Sequence, residues 1–261
     1  MRVLAVDWSG RVRGAQHSIW LGEANLDGTL VRLESGRTRE QLATHLVELA
    51  ARDDDLVVGI DCSFSLPAWF LQERGYASAC ELWAAAIDDG ERWLTDCDPP
   101  FWGLTGKKRP DLPEHFRATE SAIAAIGGIR PKSTFQIGGA GSVGSGSIRA
   151  FPVLARLREA GFAIWPFDAA RRPMVVEVWP RACTGPVVKS DWRARREYVD
   201  AHYPGLRVDL RDATVASEDA FDAAVTALVM AAHADQLRSP TPPPLDAALL
   251  EGWVWLPRDL E

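Results

Sequence analysis

Two short apolar runs, each followed by an aspartate, constrain the fold of this chain more than any other feature of its sequence. Residues 2–6 (Arg-Val-Leu-Ala-Val) precede Asp7, and residues 56–60 (Leu-Val-Val-Gly-Ile) precede Asp61. Short apolar runs bounded by turn-forming or charged residues are typical of strands buried on both faces of a sheet. We therefore expect both runs to be interior strands that end at an acidic residue.

The residues between the two runs predict how these strands are connected. Residues 16–24 and 29–34 are strand candidates, and Asn25-Leu26-Asp27-Gly28 between them is a hairpin pattern. Thr38 and Gln41 form a capping-box pattern that begins a helix. A helical crossover is right-handed and returns the chain parallel to the first strand. Asp7 and Asp61 would then emerge at the same edge of the sheet, where sites form in open α/β proteins.

The remainder of the chain predicts more helix than strand. Residues 63–130 are helix-like but irregular and rich in tryptophan, which suggests a helical insertion or cap. Later segments follow in the order strand 133–137, glycine-rich loop 138–147, helix 151–160, strands 163–167 and 174–179, helix 189–202, and a helix from Glu218 to Ala234 capped by Ser217. These elements predict a single α/β domain over residues 1–261, with a mixed five-stranded sheet flanked by helices.

Composition and charge narrow the classes of protein to which the chain can belong. Hydrophobic residues make up 47% of its 261 residues, enough for a substantial core. No apolar run approaches the roughly 20 residues needed to span a bilayer, and residues 1–7 are too soon charged for a signal peptide, so we expect a cytoplasmic protein without a membrane segment. The net charge of −7 argues against broad contact with nucleic acid, although a local basic patch can still guide a polyanion.

Several carboxylates occupy positions that suggest chemistry. Asp7 and Asp61 end buried strands, Glu177 interrupts an apolar run, and Asp219 and Asp222 share a face of the last long helix. Neighbouring buried carboxylates repel one another unless a hard cation such as Mg²⁺ or Mn²⁺ lies between them. Each residue also has a structural explanation: the aspartates can cap turns or favour a helix dipole, and Glu177 can pair with an arginine at 171, 172 or 181.

Four motifs in order resemble a domain-of-unknown-function family of predicted nucleases with the RNase H-like fold. The motifs are residues 5–10 (Ala-Val-Asp-Trp-Ser-Gly), residues 59–67 (Gly-Ile-Asp-Cys-Ser-Phe-Ser-Leu-Pro), residues 177–180 (Glu-Val-Trp-Pro) and residues 218–223 (Glu-Asp-Ala-Phe-Asp-Ala). The last of them is also similar to the final motif of Holliday-junction resolvases.

The resemblance implies an RNase H-like sheet and a metal-dependent nuclease acting on DNA or RNA. Asp7, Asp61 and Asp222 would bind Mg²⁺ or Mn²⁺, with Glu177 or Asp219 assisting. Catalytic roles are expected for Asp7, Asp61, Glu177 and Asp222. Two such ions can hold the attacking and leaving oxygens of a phosphodiester in line.

Contacts to a phosphate-containing substrate are predicted for polar and basic residues in loops. These residues are Ser9, Lys107, Lys108, Arg109, Arg130 and Lys132. A solvated charged loop is the alternative explanation for the basic ones.

Other functions remain compatible with the sequence. Residues 139–144 (Gly-Ala-Gly-Ser-Val-Gly) match the glycine pattern of dinucleotide sites, which requires a preceding strand. An actin-like ATPase or a kinase-related phosphotransferase would share the RNase H topology but needs two such domains. A non-catalytic binding module with the same fold is the third alternative.

Overall fold

A mixed six-stranded sheet forms the centre of the protein in this computed structural model, which describes residues 1–258. The strands are β1 (Arg2–Asp7), β2 (Trp20–Ala24), β3 (Leu30–Ser35), β4 (Leu56–Ile60), β5 (Ala163–Ile164) and β6 (Met174–Glu177). They lie in the order β3-β2-β1-β4-β6-β5. The prediction of an α/β protein with a mixed sheet flanked by helices is confirmed.

Helices cover both faces of this sheet. Within the described residues they are α1 (Arg39–Arg52), α2 (Ala68–Glu73), α3 (Ala79–Asp96), α4 (Ala118–Ala122), α5 (Gly144–Glu159), α6 (Pro180–Thr184), α7 (Trp192–His202), α8 (Val208–Ala216), α9 (Glu218–Ala232), α10 (Ala234–Arg238) and α11 (Ala248–Glu251). In this part of the chain, no helix is both long enough and apolar enough to cross a membrane.

The strand pairing agrees with the connections predicted for the first 60 residues. β1, β2 and β3 form an antiparallel meander, and β1 pairs in parallel with β4. The capping box is present: the Thr38 hydroxyl accepts from the Gln41 amide, and the Gln41 side chain accepts from the Thr38 amide. Since Val6 is paired with Ile60, Asp7 and Asp61 emerge together at one edge.

Alternate residues of β1 belong to different cores, which places a layer of helices on each face. Leu4 and Val6 pack into a large core with residues of α1, α3 and α5. Val3 and Ala5 pack into a second core with residues of α9. Each fully buried leucine or valine contributes about 1.5–3 kcal/mol to folding, so the two cores fix both helical layers against the sheet.

Two strand glycines let α9 approach the sheet closely. A Cβ at Gly22 would lie 2.6 Å from the carbonyl oxygen of Ala223, and a Cβ at Gly59 would lie 2.5 Å from the Met230 sulfur. A side chain at Gly22 would push the helix away, because the obstructing atoms belong to its backbone, whereas at Gly59 the side chains of Met230 and Val178 would have to move. Gly22 thus lets Asp222, the residue before Ala223, lie near the strand ends.

The predicted number of strands and several predicted boundaries are wrong. The sheet has six strands, not five, because the two-residue β5 pairs with β6 at its edge. β5 ends before Pro166, which has no N–H to donate. Residues 133–137 are not a strand and supply only an isolated bridge from Gln136 to Trp102. Helix α5 begins at Gly144, within the predicted glycine-rich loop, and contains Pro152. Helix α7 begins after its cap, Asp191, and not at Lys189.

Candidate functional site

Three aspartates predicted as metal ligands lie at the edge where the central parallel strands end. Asp7 is the last residue of β1, and Asp61 directly follows β4 and donates its amide to the Val6 carbonyl over 2.9 Å. Asp222 is on the first turns of α9, on the helix face held against β1 and β2. Asp7 and Asp222 are only 9% and 8% exposed, so both carboxylates are largely withdrawn from water.

The three carboxylates act on one another electrostatically. Burial raises the pKa of Asp7 well above its ordinary value, and Asp222, Asp61 and Asp219 raise it further. Burial and Asp222 raise the pKa of Asp61 to about 7. The pKa of Asp222 is also raised, chiefly by burial. A negative potential of this kind favours protonation or the arrival of a cation.

Lys189 supplies the positive charge nearest to this cluster. Its ammonium donates to Asp222 Oδ2, and its side chain is only 13% exposed. The other oxygen, Asp222 Oδ1, is buried and has no hydrogen-bond partner within residues 1–258. An orphaned buried carboxylate oxygen is costly, and it is a natural ligand for a hard cation.

The donor chemistry therefore fits Mg²⁺ or Mn²⁺, although the side chains do not form a ready-made ligand set. Among residues 1–258, no group of three or more histidine, cysteine, aspartate or glutamate side chains is arranged to hold a metal ion. Lys189 holds one of the relevant oxygens. Asp222 can offer a metal its free Oδ1, whereas ligation through both of its carboxylate oxygens would require Lys189 to leave.

Asp219, the fourth predicted ligand, lies at the margin of the cluster. It is half-buried in the first turn of α9, one turn before Asp222. Burial raises its pKa, while the nearby Arg11 lowers it. Asp219 adds negative potential at Asp7 and, like Asp61, is partly exposed, whereas Asp7 and Asp222 are buried.

Glu177 has both carboxylate oxygens engaged. Oε2 accepts from Arg117 Nη1 over 2.9 Å and from the Phe64 amide over 3.0 Å, and Oε1 accepts from Arg117 Nη2. Its partner is therefore Arg117, not one of the three arginines considered from the sequence. This pairing fixes the turn at Phe64, three residues beyond Asp61.

Arg117 is the centre of a buried ionic network. It is fully buried, pairs with Glu120 as well as Glu177, and donates to the main-chain oxygen of Glu251 over 2.8 Å. The Glu251 carboxylate in turn accepts from the amides of Ala68 and Ala118, both over 2.6 Å. The network thus ties the starts of α2 and α4 to the end of β6.

A cavity of about 330 Å³ opens beside Asp61. Its acidic wall is formed by Asp61, Glu120 and Glu177. The other residues that line it are Trp8, Gly10, Cys62, Ser63, Ile129, Arg130, Pro131, Lys132, Gly141, Ser142, Val143, Gly146, Val178, Trp179 and Val254. The strand-end edge therefore borders a space large enough for a small substrate group.

The basic residues predicted to contact substrate form two groups, one that lines the cavity and one that lies outside its lining. Arg130 and Lys132 are exposed, line the cavity, and form no ion pair within residues 1–258. The turn formed by residues 107–109 lies outside the cavity lining. In that turn Lys107 pairs with Asp98 over 3.1 Å, and Arg109 lies over the rings of Trp102 and Phe116.

Lys108 is exposed in the same turn as Lys107.

Ser9, also predicted to contact substrate, is buried next to the cavity. The Ser9 hydroxyl accepts from the Arg11 amide over 3.3 Å, and its main-chain oxygen accepts from Arg39. Ser9 thus shapes the turn after Asp7, while its neighbours Trp8 and Gly10 form part of the cavity lining.

The start of α5 packs against the turns that follow β1 and β4. The Trp8 indole donates to the Gly146 carbonyl over 2.9 Å, and the Ser147 hydroxyl accepts from the Ser63 amide over 3.0 Å. A Cβ at Gly10 would lie 2.5 Å from the Gly146 amide nitrogen. The glycines around residue 144 therefore permit close packing, and no strand precedes them as a dinucleotide motif requires.

Asp61→Asn should flatten the pH dependence of stability in the metal-free protein. Because the folded pKa of about 7 exceeds the ordinary 3.8, the contribution of this carboxyl to stability is complete below about pH 4 and is lost as pH rises through 7. Melts in EDTA from pH 5 to 8 should show the variant gaining about 2–3 kcal/mol relative to the parent across that range. Parallel curves would mean that Asp61 is not held in a repulsive environment.

Two contacts at this site were not foreseen from the sequence. Arg117 lies in the predicted insertion, where only its spacing from Glu120 suggests an ion pair. The sequence pattern places Lys189 in the predicted helix 189–202, although Asp191, the capping residue of α7, indicates that Lys189 precedes that helix.

Comparison with known proteins finds no matching family model, no matching curated protein and no matching solved structure.

Proposed function

We propose that the protein is a divalent-metal-dependent nuclease with an RNase H-like fold. The observation that carries the proposal is the set of three buried or partly buried aspartates, Asp7, Asp61 and Asp222, at one edge of the sheet, where burial and the Asp222 carboxylate raise the pKa of both Asp7 and Asp61. The orphaned Asp222 Oδ1 adds a free ligand atom. Without β5, the sheet is a mixed five-stranded one that begins with an antiparallel meander, as expected for the RNase H-like fold.

The roles of the residues follow from their surroundings. Asp7, Asp61 and Asp222 would hold Mg²⁺ or Mn²⁺, which when bound lowers the pKa of water and neutralises charge on the phosphodiester. Asp219 would strengthen the negative potential at the same place. Glu177, held by Arg117, would act by positioning the turn beside Asp61.

The cavity beside Asp61 would receive the substrate. Arg130 and Lys132 carry positive charge that no carboxylate in the described chain neutralises, and phosphate groups bind such side chains. Hydrolysis adds the oxygen of water to phosphorus and breaks one P–O ester bond, so no further reactant is needed. The small number of free cations at the site is compatible with the net charge of −7.

Cleavage assays with several nucleic acids test the proposal. Purified protein should cleave at least one of single-stranded DNA, single-stranded RNA, duplex DNA and duplex RNA with Mn²⁺ or Mg²⁺, and EDTA should stop the reaction. Hydrolysis of ATP, or saturable binding of ATP at micromolar concentration without cleavage of any nucleic acid, would instead support the kinase-related alternative. Inactivity toward all of these substrates would support the binding module.

A further inference from the structure

We propose that the cavity beside Asp61 takes in one nucleotide at a time, so that the substrate is single-stranded nucleic acid and not intact duplex. This inference rests on the proposed function and adds the class of substrate. It is carried by three features of the cavity: its size, the distribution of charge on its walls, and the two tryptophans that line it.

The size of the cavity limits what can enter. Pockets that enclose small ligands measure about 300–1,000 Å³, and this one has a volume of about 330 Å³. A space at the lower end of that range accepts one nucleotide. Bases in a duplex are paired and stacked, and enzymes that act on such a base must first extrude it at a cost in free energy. A flexible single strand avoids that cost.

The charges on the walls orient a nucleotide. Asp61 supplies negative charge, since the Glu120 and Glu177 carboxylates beside it are paired with Arg117, while Arg130 and Lys132 supply positive charge at the residues that lead into the glycine-rich loop. Only two free cations mean contact with about two phosphates. A protein that binds a duplex contacts more phosphates than this, and a net charge of −7 disfavours such extensive binding to a polyanion.

Trp179 provides a surface for a base, while Trp8, which is only 8% exposed, forms part of the cavity wall. Trp8 is fixed in place because its indole donates to Gly146, and Trp179 is partly exposed just before α6. Aromatic side chains in single-strand binding proteins stack on bases without regard to sequence. The cavity lining therefore combines phosphate contacts, a stacking surface and Asp61, one of the three aspartates at the strand ends.

Binding measured in EDTA tests this inference without any contribution from metal or cleavage. Fluorescence anisotropy with a labelled 12-nucleotide single strand and the matching blunt duplex should show at least about tenfold tighter binding of the single strand. With two phosphate contacts on a single strand, the logarithm of affinity should fall with the logarithm of salt concentration with a slope of about −1.4. Arg130→Ala with Lys132→Ala should bring the slope close to zero, and Trp179→Ala should weaken binding about tenfold.

The matched control changes cations outside the cavity. Arg52→Ala with Arg92→Ala removes the same charge from exposed helical positions outside the cavity lining and should alter affinity less than twofold. Equal or tighter binding of the duplex, no detectable binding, or an unchanged salt slope in the Arg130 and Lys132 variant would overturn the inference. Metal-dependent cleavage of duplex without preferential binding of single strands would support the nuclease proposal and contradict this inference. Preferential binding of single strands without cleavage of any nucleic acid would support this inference and contradict the nuclease proposal.

Discussion

Asp7→Asn should lower the rate of metal-dependent phosphodiester cleavage by about 10³-fold or more, equivalent to about 4 kcal/mol of transition-state stabilisation. The substitution removes the charge of a proposed metal ligand whose pKa is raised by burial and by three neighbouring aspartates, and an amide is a weaker ligand for Mg²⁺. Initial rates with the substrate identified in the cleavage assays measure the effect.

The fold should survive this change. Asp7 is repelled by its neighbours in the metal-free protein, so the variant should melt in EDTA at the same temperature as the parent or higher. Asp219→Asn is the matched control, because it removes the same charge from a half-buried position and should reduce the rate far less. A fully active Asp7→Asn protein, or equal losses in the two variants, would remove Asp7 from the reaction.

Arg117→Met should lower the free energy of unfolding by about 3–5 kcal/mol, because it leaves Glu177 and Glu120 in the interior without their counter-ion. The main-chain oxygen of Glu251 would lose a donor at the same time. For a chain of this length, the loss corresponds to a decrease in Tm of roughly 10 °C. Urea unfolding followed by circular dichroism measures it.

Arg158→Met is the control for this prediction. Arg158 pairs with Asp168 over 2.9 Å, but its side chain is 46% exposed, and exposed ion pairs contribute about 0–1 kcal/mol. The two variants remove the same group from buried and exposed surroundings. If Arg117→Met were no more destabilising than Arg158→Met, the network around Glu177 would not be the structural support described above.

Local sequence patterns predicted the first part of the sheet because short-range rules determine it. The hairpin residues, the capping box at Thr38 and the two aspartate-terminated runs each specify structure within a few residues. Their combination places Asp7 and Asp61 at one edge before any tertiary contact is considered. The edge strand β5 was harder to judge, because two residues carry no periodicity and its pairing depends on β6.

Long-range contacts are the reason that the rest of the site could not be predicted. Glu177 is separated from Arg117 by 60 residues, and Lys189 is separated from Asp222 by 33. From the sequence, three repelling carboxylates suggest that Asp222→Asn would not destabilise the metal-free protein. The contact with Lys189 reverses that expectation, because the variant would leave a largely buried ammonium without its partner.

The glycine-rich segment 138–147 is another part of the chain whose structure depends on long-range contacts. Its pattern is compatible with a flexible loop, a phosphate-binding loop or a dinucleotide motif. Only the contacts of Gly10 with Gly146 and of Ser63 with Ser147 reveal that part of it is a helix start packed against the strand-end turns.

A crystal structure of the protein grown with Mn²⁺, with anomalous scattering used to locate the ion, tests whether the three aspartates bind a metal. We expect an anomalous peak in contact with carboxylate oxygens of Asp7, Asp61 and Asp222, with the free Oδ1 as the ligand atom of Asp222. An otherwise matched crystal grown in EDTA should lack this peak. If crystals at saturating Mn²⁺ contained no peak among these aspartates, the proposed metal site would be contradicted.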